Sequence, residues 1–182
     1  SVSRVVWSPD GGQLAVASSV GIVELLNVSQ GKFETFADIS SWGAVRNIVW
    51  SPDSRLLAIA TAGQIWVKNV DSGGVLYENA LWVTDLTWSP DGDFLAVAGE
   101  TIALLDTTEW IVLGTLVGDT GRVNAITFTP DGGRLLSGGV DGSLHLWNMD
   151  SGLDTFTVTT SAAINQYAWN LDHSLLALSV GE

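Results

Sequence analysis

The sequence predicts an all-β chain of repeated four-stranded units, and three observations carry that prediction. One turn is written repeatedly: "WSPDGG" at Trp7–Gly12, "WSPDS" at Trp50–Ser54, "WSPDG" at Trp88–Gly92, "FTPDG" at Phe128–Gly132 and a worn "WNLDHS" at Trp169–Ser174. The aromatic residue before the turn recurs at intervals of 43, 38, 40 and 41 residues. Between the turns lie short β-branched runs bounded by Gly, Asn, Asp and Ser, and no stretch has the period of a long amphipathic helix.

The first repeat reads as strands at Val2–Trp7, Gln13–Ser18, Ile22–Asn27 and Lys32–Asp38. The second reads as Val45–Trp50, Arg55–Thr61, Gln64–Asn69 and Val75–Leu81, and the third as Val83–Trp88, Phe94–Gly99, Thr101–Asp106 and Ile111–Val117. The fourth gives Val123–Phe128, Arg134–Gly138, Ser143–Asn148 and Leu153–Thr159. Two strands of a fifth follow, Ile164–Trp169 and Ser174–Val180. The leading strands share one apolar spacing, in which Val2, Val5 and Trp7 are matched by Val45, Ile48 and Trp50 and so on to Ile164, Tyr167 and Trp169.

Ser-Pro-Asp-Gly fits a type I β-turn, with Pro fixing φ at the second position and Gly at the fourth. Pro also stops the preceding strand, because it has no N–H for the ladder. The motif therefore joins the first and second strands of every repeat.

Four-stranded repeats at a period of about 40–45 residues predict a β-propeller. Residues 1–182 read as one propeller segment, with repeats at about 2–44, 45–82, 83–122, 123–163 and a partial 164–182. Four repeats and two strands do not close a ring, and the last pair offers an unpaired edge. Two explanations stand. The segment belongs to a longer chain of roughly 250–330 residues with six to eight blades, or another chain supplies the missing strands.

Residues 114–152, "GTLVGDTGRVNAITFTPDGGRLLSGGVDGSLHLWNMDSG", resemble a repeat of the WD-repeat β-propeller family. In that family a Gly-His pair precedes the first strand, an Asp lies between the second and third, and Trp-Asp closes the third. Here Gly118-Asp119, Asp141 and Trp147-Asn148 take those places, and Ser137 matches the family's hydroxyl on the second strand. The resemblance thus implies a structural network of Ser137, Asp141 and Trp147. At Asp119 a carboxylate replaces the imidazole, and Arg122 stands close enough in sequence to neutralise it. The other repeats close on Leu26-Asn27, Lys68-Asn69 and Leu105-Asp106 and lack the Gly-His pair. Bacterial propellers built on a Trp-Ser-Pro-Asp-Gly turn are a second similar group.

Composition narrows the function classes. Hydrophobic residues make up 46% of the 182, mean hydropathy is +0.30, and the formal charge is −13. The charge arises from scarce cations: 7 Lys and Arg stand against 20 Asp and Glu. No Lys/Arg cluster exists to displace counterions from phosphates, so nucleic-acid binding is disfavoured. Charged residues are 15% of the chain, below the usual ~25%. Either the acidic surface is simply solvated, or part of it is covered by partner proteins. With no cysteine, disulfides, thiolate metal sites and a cysteine nucleophile are excluded. No apolar run approaches the ~18 residues of a membrane span.

Nine tryptophans are present. Trp7, Trp50, Trp88 and Trp169 take the repeated core slot with Phe128, while Trp66 aligns with His145 as packing between blades. Trp42 and Trp82 each precede an innermost strand, so they belong to the same end of adjoining blades. They form a protein-contact patch there or fold over the blade tops as lids. Asp119 and Arg122 are further contact candidates. Trp110 replaces the Gly that follows the third strand elsewhere.

Arg4, Asn47, Asp85 and Gln166 align on the innermost strands and are expected at the mouth of a central channel. They contain no matched acid–base pair. Ser137, Asp141 and His145 have the residue types of a nucleophilic triad but lack a nucleophile elbow. His145 and His173 have no metal-ligand spacing, and "SGGVDGS" reads as a hairpin because no Lys-Ser/Thr follows it. No metal or cofactor is expected. The sequence favours a non-enzymatic protein–protein scaffold, in a larger chain or assembly. The rival is a small-molecule-binding or hydrolytic propeller that uses the central channel.

Overall fold

The computed structural model describes residues 1–116, 121–170 and 175–181. Its strands are β1 Val2–Trp7, β2 Gln13–Ser18, β3 Ile22–Asn27, β4 Lys32–Asp38, β5 Asn47–Trp50, β6 Leu56–Ala60, β7 Ile65–Asn69, β8 Val75–Asn79 and β9 Asp85–Trp88. They continue as β10 Phe94–Ala98, β11 Ile102–Asp106, β12 Val112–Leu116, β13 Val123–Phe128, β14 Arg134–Gly139, β15 Ser143–Asn148, β16 Asp154–Thr159, β17 Ile164–Trp169 and β18 Leu176–Val180. A single 3-10 turn, Ser40–Trp42, is the one helical element among the described residues. The strands form four antiparallel four-stranded sheets in chain order, β1–β4, β5–β8, β9–β12 and β13–β16, and a pair β17–β18. Each sheet is a blade of a β-propeller fold. The first blade matches its sequence reading to the residue, whereas β5 and β9 begin two residues later than read, at Asn47 and Asp85.

The repeated turn holds because its polar groups bond one another. Gly11 N–H donates to the Ser8 carbonyl at 2.9 Å, closing the β-turn. The Ser8 hydroxyl donates to Asp10 at 2.6 Å and accepts from Gln13 N–H at 2.9 Å, while Asp10 accepts from Gly12 N–H at 2.9 Å. Ser51 and Asp53, Ser89 and Asp91, and Thr129 and Asp131 repeat this set. The fourth turn position is left-handed in all four, with φ of 71°, 63°, 82° and 72° at Gly11, Ser54, Gly92 and Gly132. Ser54 tolerates this strain while its hydroxyl accepts Asp10 N–H from the neighbouring turn at 3.1 Å.

A second turn, after the third strand, is built on Asn27, Asn69, Asp106 and Asn148. In each case the side-chain oxygen accepts a main-chain N–H three residues on, from Gln30, Ser72, Glu109 or Ser151. Trp110 occupies the left-handed position that Gly31, Gly73 and Gly152 fill elsewhere, with φ 56°.

The chain divides into two compact halves, Ser1–Trp88 and Ser89–Glu182. In the first, Ala15, Ala17, Val23 and Leu25 of one blade pack with Val45, Ile48, Trp50, Leu57, Ile59 and Trp66 of the next. Trp66 is buried there, as its alignment predicts. The small residues of β2 leave room for the indole of Trp50. In the second half, Ile102, Val123, Ile126, Phe128, Leu135 and Trp147 form the core. Gly138 has no room for a side chain, because a Cβ would lie 2.5 Å from Ile164 Cγ2.

One core assignment is corrected. Trp50, Trp88 and Phe128 are 7%, 8% and 5% exposed, but Trp7 is 57% exposed, with Val2 at 62% and Val5 at 51%. The reason is directional: each of the buried aromatics packs back onto the blade before it, and no described residue lies before β1 to receive Trp7 in this way.

Candidate functional site

The leading ends of the innermost strands carry most of the candidates, and a bulge shapes the ends of β1, β5, β13 and β17. Ser3, Asn124 and Asn165 are each skipped in the pairing of β1, β13 and β17. In the second blade Arg46 N–H donates to Ala60 O, while Asn47 also pairs with Ala60. Two residues thus oppose one, which re-aims both side chains and explains the late start of β5.

Arg4 is exposed and its Nε donates to the Arg46 main-chain carbonyl at 3.1 Å. Arg46 is exposed too, and its guanidinium carbon lies 5.5 Å from the Trp82 ring centroid, a cation–π geometry. Asn47 is buried; its Nδ2 donates to Asp85 Oδ1 at 2.6 Å, an oxygen that also accepts Leu86 N–H at 2.9 Å. Asn47 and Asp85 are therefore engaged with each other. In the second half Gln166 is exposed on β17, where its neighbour Asn165 accepts from Asn124 Nδ2 at 3.2 Å.

Trp42 and Trp82 are 54% and 49% exposed. Trp42 ends the 3-10 turn and meets the buried Trp66 edge-on at a centroid distance of 6.0 Å. Each indole thus keeps one side anchored on the second blade, Trp42 on Trp66 and Trp82 on Arg46, and leaves the rest to solvent. Sequence reasoning missed Arg46: its approach to Trp82 depends on the bulge and on a partner at the far end of the same repeat, neither of which spacing reveals.

In the fourth blade, the buried Trp147 Nε1 donates to the Ser137 hydroxyl at 2.9 Å. Asp141 accepts from Ser143 N–H at 2.9 Å and from its hydroxyl. His145 Nδ1 lies 2.7 Å from Asp154 Oδ2, and its ring stacks on Trp147. Asp154 also accepts the Thr157 hydroxyl at 2.6 Å. Burial pushes the Asp154 carboxyl up, and the hydrogen bonds from Thr157 and His145 outweigh it, leaving the pKa below its usual value. The triad geometry is not formed, since His145 Nδ1 turns to Asp154 rather than Asp141. Asp154 and Thr157 escaped the sequence reading because a cross-strand partner carries no local signal. Arg122 is exposed, and its carbonyl accepts Val140 N–H at 3.0 Å. Gly118, Asp119 and His173 lie outside the described residues.

Among the described residues, no three His, Cys, Asp or Glu side chains are grouped to hold a metal ion, and no helix is long and apolar enough to cross a membrane.

Comparison with known proteins agrees with this architecture. The family model "WD domain, G-beta repeat" matches residues 110–148, and "Anaphase-promoting complex subunit 4 WD40 domain" matches residues 48–116. Small ribosomal subunit protein RACK1 of Caenorhabditis elegans is 35% identical over 65 residues, covering 36% of this chain and 20% of that protein. Cilia- and flagella-associated protein 57 of Mus musculus is 30% identical over 84 residues, covering 46% of this chain and 7% of that protein. The matched stretches span a fifth or less of these relatives. A chain in the crystal structure of a mitotic checkpoint complex superposes with a TM-score of 0.86 at 26% identity, over 98% of this chain and 59% of that one.

Proposed function

We propose that this chain is part of a WD-repeat β-propeller that acts as a non-catalytic scaffold for protein–protein contacts, within a longer chain or as a subunit of an assembly. The observation that carries this reading is the pair of half-exposed indoles, Trp42 and Trp82, each anchored on a rigid blade. Large aromatic side chains held in place lose little entropy on binding and are favoured anchors at interfaces. The similarity to a chain of a mitotic checkpoint complex and to a ribosomal subunit protein supports a role in assemblies.

The test replaces both indoles. Wild type and the Trp42→Ala/Trp82→Ala variant are used to capture proteins from the source organism's lysate, and both melting temperatures are measured. The scaffold reading expects specific proteins to be lost from the variant at a nearly unchanged melting temperature. Identical captured sets, or a large fall in melting temperature, assign the indoles to blade packing instead.

A further inference from the structure

We propose that the leading ends of β1 and β5 bind an acidic segment of the partner protein, with Arg4 and Arg46 taking its carboxylates and Trp42 and Trp82 its apolar side chains. The proposal rests on the scaffold reading above and names the partner's chemistry.

Three of the five cations in the first half have partners within it. Lys32 is paired with Glu34 at 2.7 Å, and Arg55 approaches Asp53 at 4.0 Å. Lys68 is turned inward, donating to the Phe36 carbonyl at 3.0 Å with its ammonium 4.8 Å from the Phe36 ring. Arg4 and Arg46 differ. Both are exposed, and among the described residues no carboxylate comes within ion-pair distance of either. The bond from Arg4 Nε to the Arg46 carbonyl nonetheless tethers the first side chain beside the second residue. In a chain with 20 acidic and 7 basic side chains, an arginine without a carboxylate is unexpected, and two neighbouring ones more so.

The acidic groups near this end are held by neutral donors. Asp38 accepts Ser40 N–H at 3.1 Å, Glu78 accepts Gln64 Nε2 at 3.0 Å, and Asp85 accepts Asn47 Nδ2 at 2.6 Å. Apart from the Arg4 Nε–H given to the Arg46 carbonyl, neither exposed guanidinium is matched to a carboxylate among the described residues. A guanidinium offers a planar fork that matches a carboxylate. Trp82 lies beneath one fork, so a carboxylate bound to Arg46 would sit beside an apolar surface that half-excludes water. An extended peptide alternating acidic and apolar residues fits that pairing of fork and indole.

The charge of −13 does not defeat this. Repulsion from the remaining surface is screened beyond about 8 Å at physiological ionic strength, whereas the guanidinium acts in direct contact. A nucleic acid fits poorly, because it brings a phosphate every few ångströms and finds two cations here rather than a track of them.

The experiment uses the full chain and a phage-displayed library of random peptides about twelve residues long. Selection should enrich Asp and Glu flanking Leu, Phe or Trp. The best peptide and its Glu→Gln, Asp→Asn counterpart are then titrated by calorimetry against wild type, Arg4→Gln, Arg46→Gln and Arg55→Gln. The neutral peptide should bind at least about 10-fold more weakly. Each of Arg4→Gln and Arg46→Gln should weaken the acidic peptide about 3- to 10-fold, with melting temperatures unchanged and Arg55→Gln without effect. Recovery of no peptide, peptides without acidic enrichment, or equal affinity for Arg4→Gln and Arg46→Gln overturns the proposal. A single-stranded oligonucleotide binding as tightly as the acidic peptide, with the same arginine dependence, overturns it too. If the proposal fails while Trp42→Ala/Trp82→Ala still loses its captured proteins, the scaffold reading survives; loss of both results removes both.

Discussion

The Trp50 indole donates its Nε1–H to the main-chain carbonyl of Val6, 3.2 Å away on the neighbouring blade. Trp88 makes the same bond to Val49 at 3.3 Å. In the second half Trp169 reaches the Thr127 hydroxyl at 3.3 Å. The repeated aromatic is therefore a clasp, apolar in its body and polar at its tip.

Unequal clasps should give unequal losses. Trp50→Ala removes a side chain that is 7% exposed and should cost about 3–5 kcal/mol. Trp50→Phe keeps most of the packing and should cost about 1 kcal/mol for the lost bond and the leftover carbonyl. Trp7 is 57% exposed, so Trp7→Ala should cost less than about 1 kcal/mol. Urea unfolding of the three variants checks the order. Equal losses at Trp7 and Trp50 would mean that the face of β1 is covered in solution.

This asymmetry marks the limit of what the sequence discloses. Spacing places Trp7, Trp50 and Trp88 in equivalent slots, and the strands of the first blade are legible to the residue, because every chain reversal in it carries a left-handed glycine, Gly11, Gly21 or Gly31, the first of them following Pro9. Burial is not periodic, since it depends on which surface lies opposite. The bulge at Arg46 is likewise illegible, as its cause is a two-to-one pairing with Ala60 on another strand. The candidate site follows the same division: the positions of Trp42 and Trp82 are readable, and the guanidinium over Trp82 is not.

The turn aspartates should make the fold acid-sensitive. Hydrogen bonds from the Ser8, Ser89 and Thr129 hydroxyls, then from main-chain amides, hold Asp10, Asp91 and Asp131 below their usual pKa. At Asp53 burial pushes the other way, and the bonds from Ser51 and Arg55 outweigh it. A carboxyl depressed in the native state binds its proton less readily there than in the unfolded chain. Its stabilisation is full above the unfolded value, about 3.9, and is lost as pH falls through the depressed one. The melting temperature should therefore drop steeply below about pH 4. Asp91→Asn should melt lower than wild type at neutral pH and approach it in acid. Parallel curves over the whole range would remove Asp91 from the acid response.

The Trp147–Ser137 bond lies in the core, with the two residues 2% and 0% exposed. Ser137→Ala deprives the buried indole N–H of this acceptor and should cost about 1–3 kcal/mol. Trp147→Phe removes the donor and some packing. The double variant should be more stable than the sum of the single losses predicts, by about 1 kcal/mol, because the second change no longer breaks the bond. Strict additivity in a double-mutant cycle would show that the bond contributes nothing net.

The residue that closes the third strand departs from the pattern of the WD-repeat propellers this chain resembles. Where the resemblance expects Trp-Asp, this chain has Asn148, with Asn27 and Asn69 in the corresponding places of other repeats and Asp only at Asp106. The turn uses a side-chain oxygen and nothing else that separates the two residues. Asn148 Oδ1 accepts Ser151 N–H and the Ser151 hydroxyl, both at 2.9 Å. Asp106 Oδ1 accepts Thr108 N–H at 2.8 Å and Glu109 N–H at 2.9 Å. Asn148→Ala removes the acceptor and should cost about 1 kcal/mol, as loss of a capping side chain does. Asn148→Asp keeps the acceptor and strengthens it by charge, but adds a carboxylate beside Asp150 and Asp154 in a chain already at −13. These effects oppose each other at similar size, so at neutral pH the variant should lie within about 0.5 kcal/mol of wild type. Added salt separates them: it screens the exposed repulsion and leaves the short hydrogen bonds, so the Asp variant should gain on wild type as ionic strength rises. Thermal unfolding in low and high salt decides it, and an Asp variant as unstable as Asn148→Ala would show that the turn needs the amide.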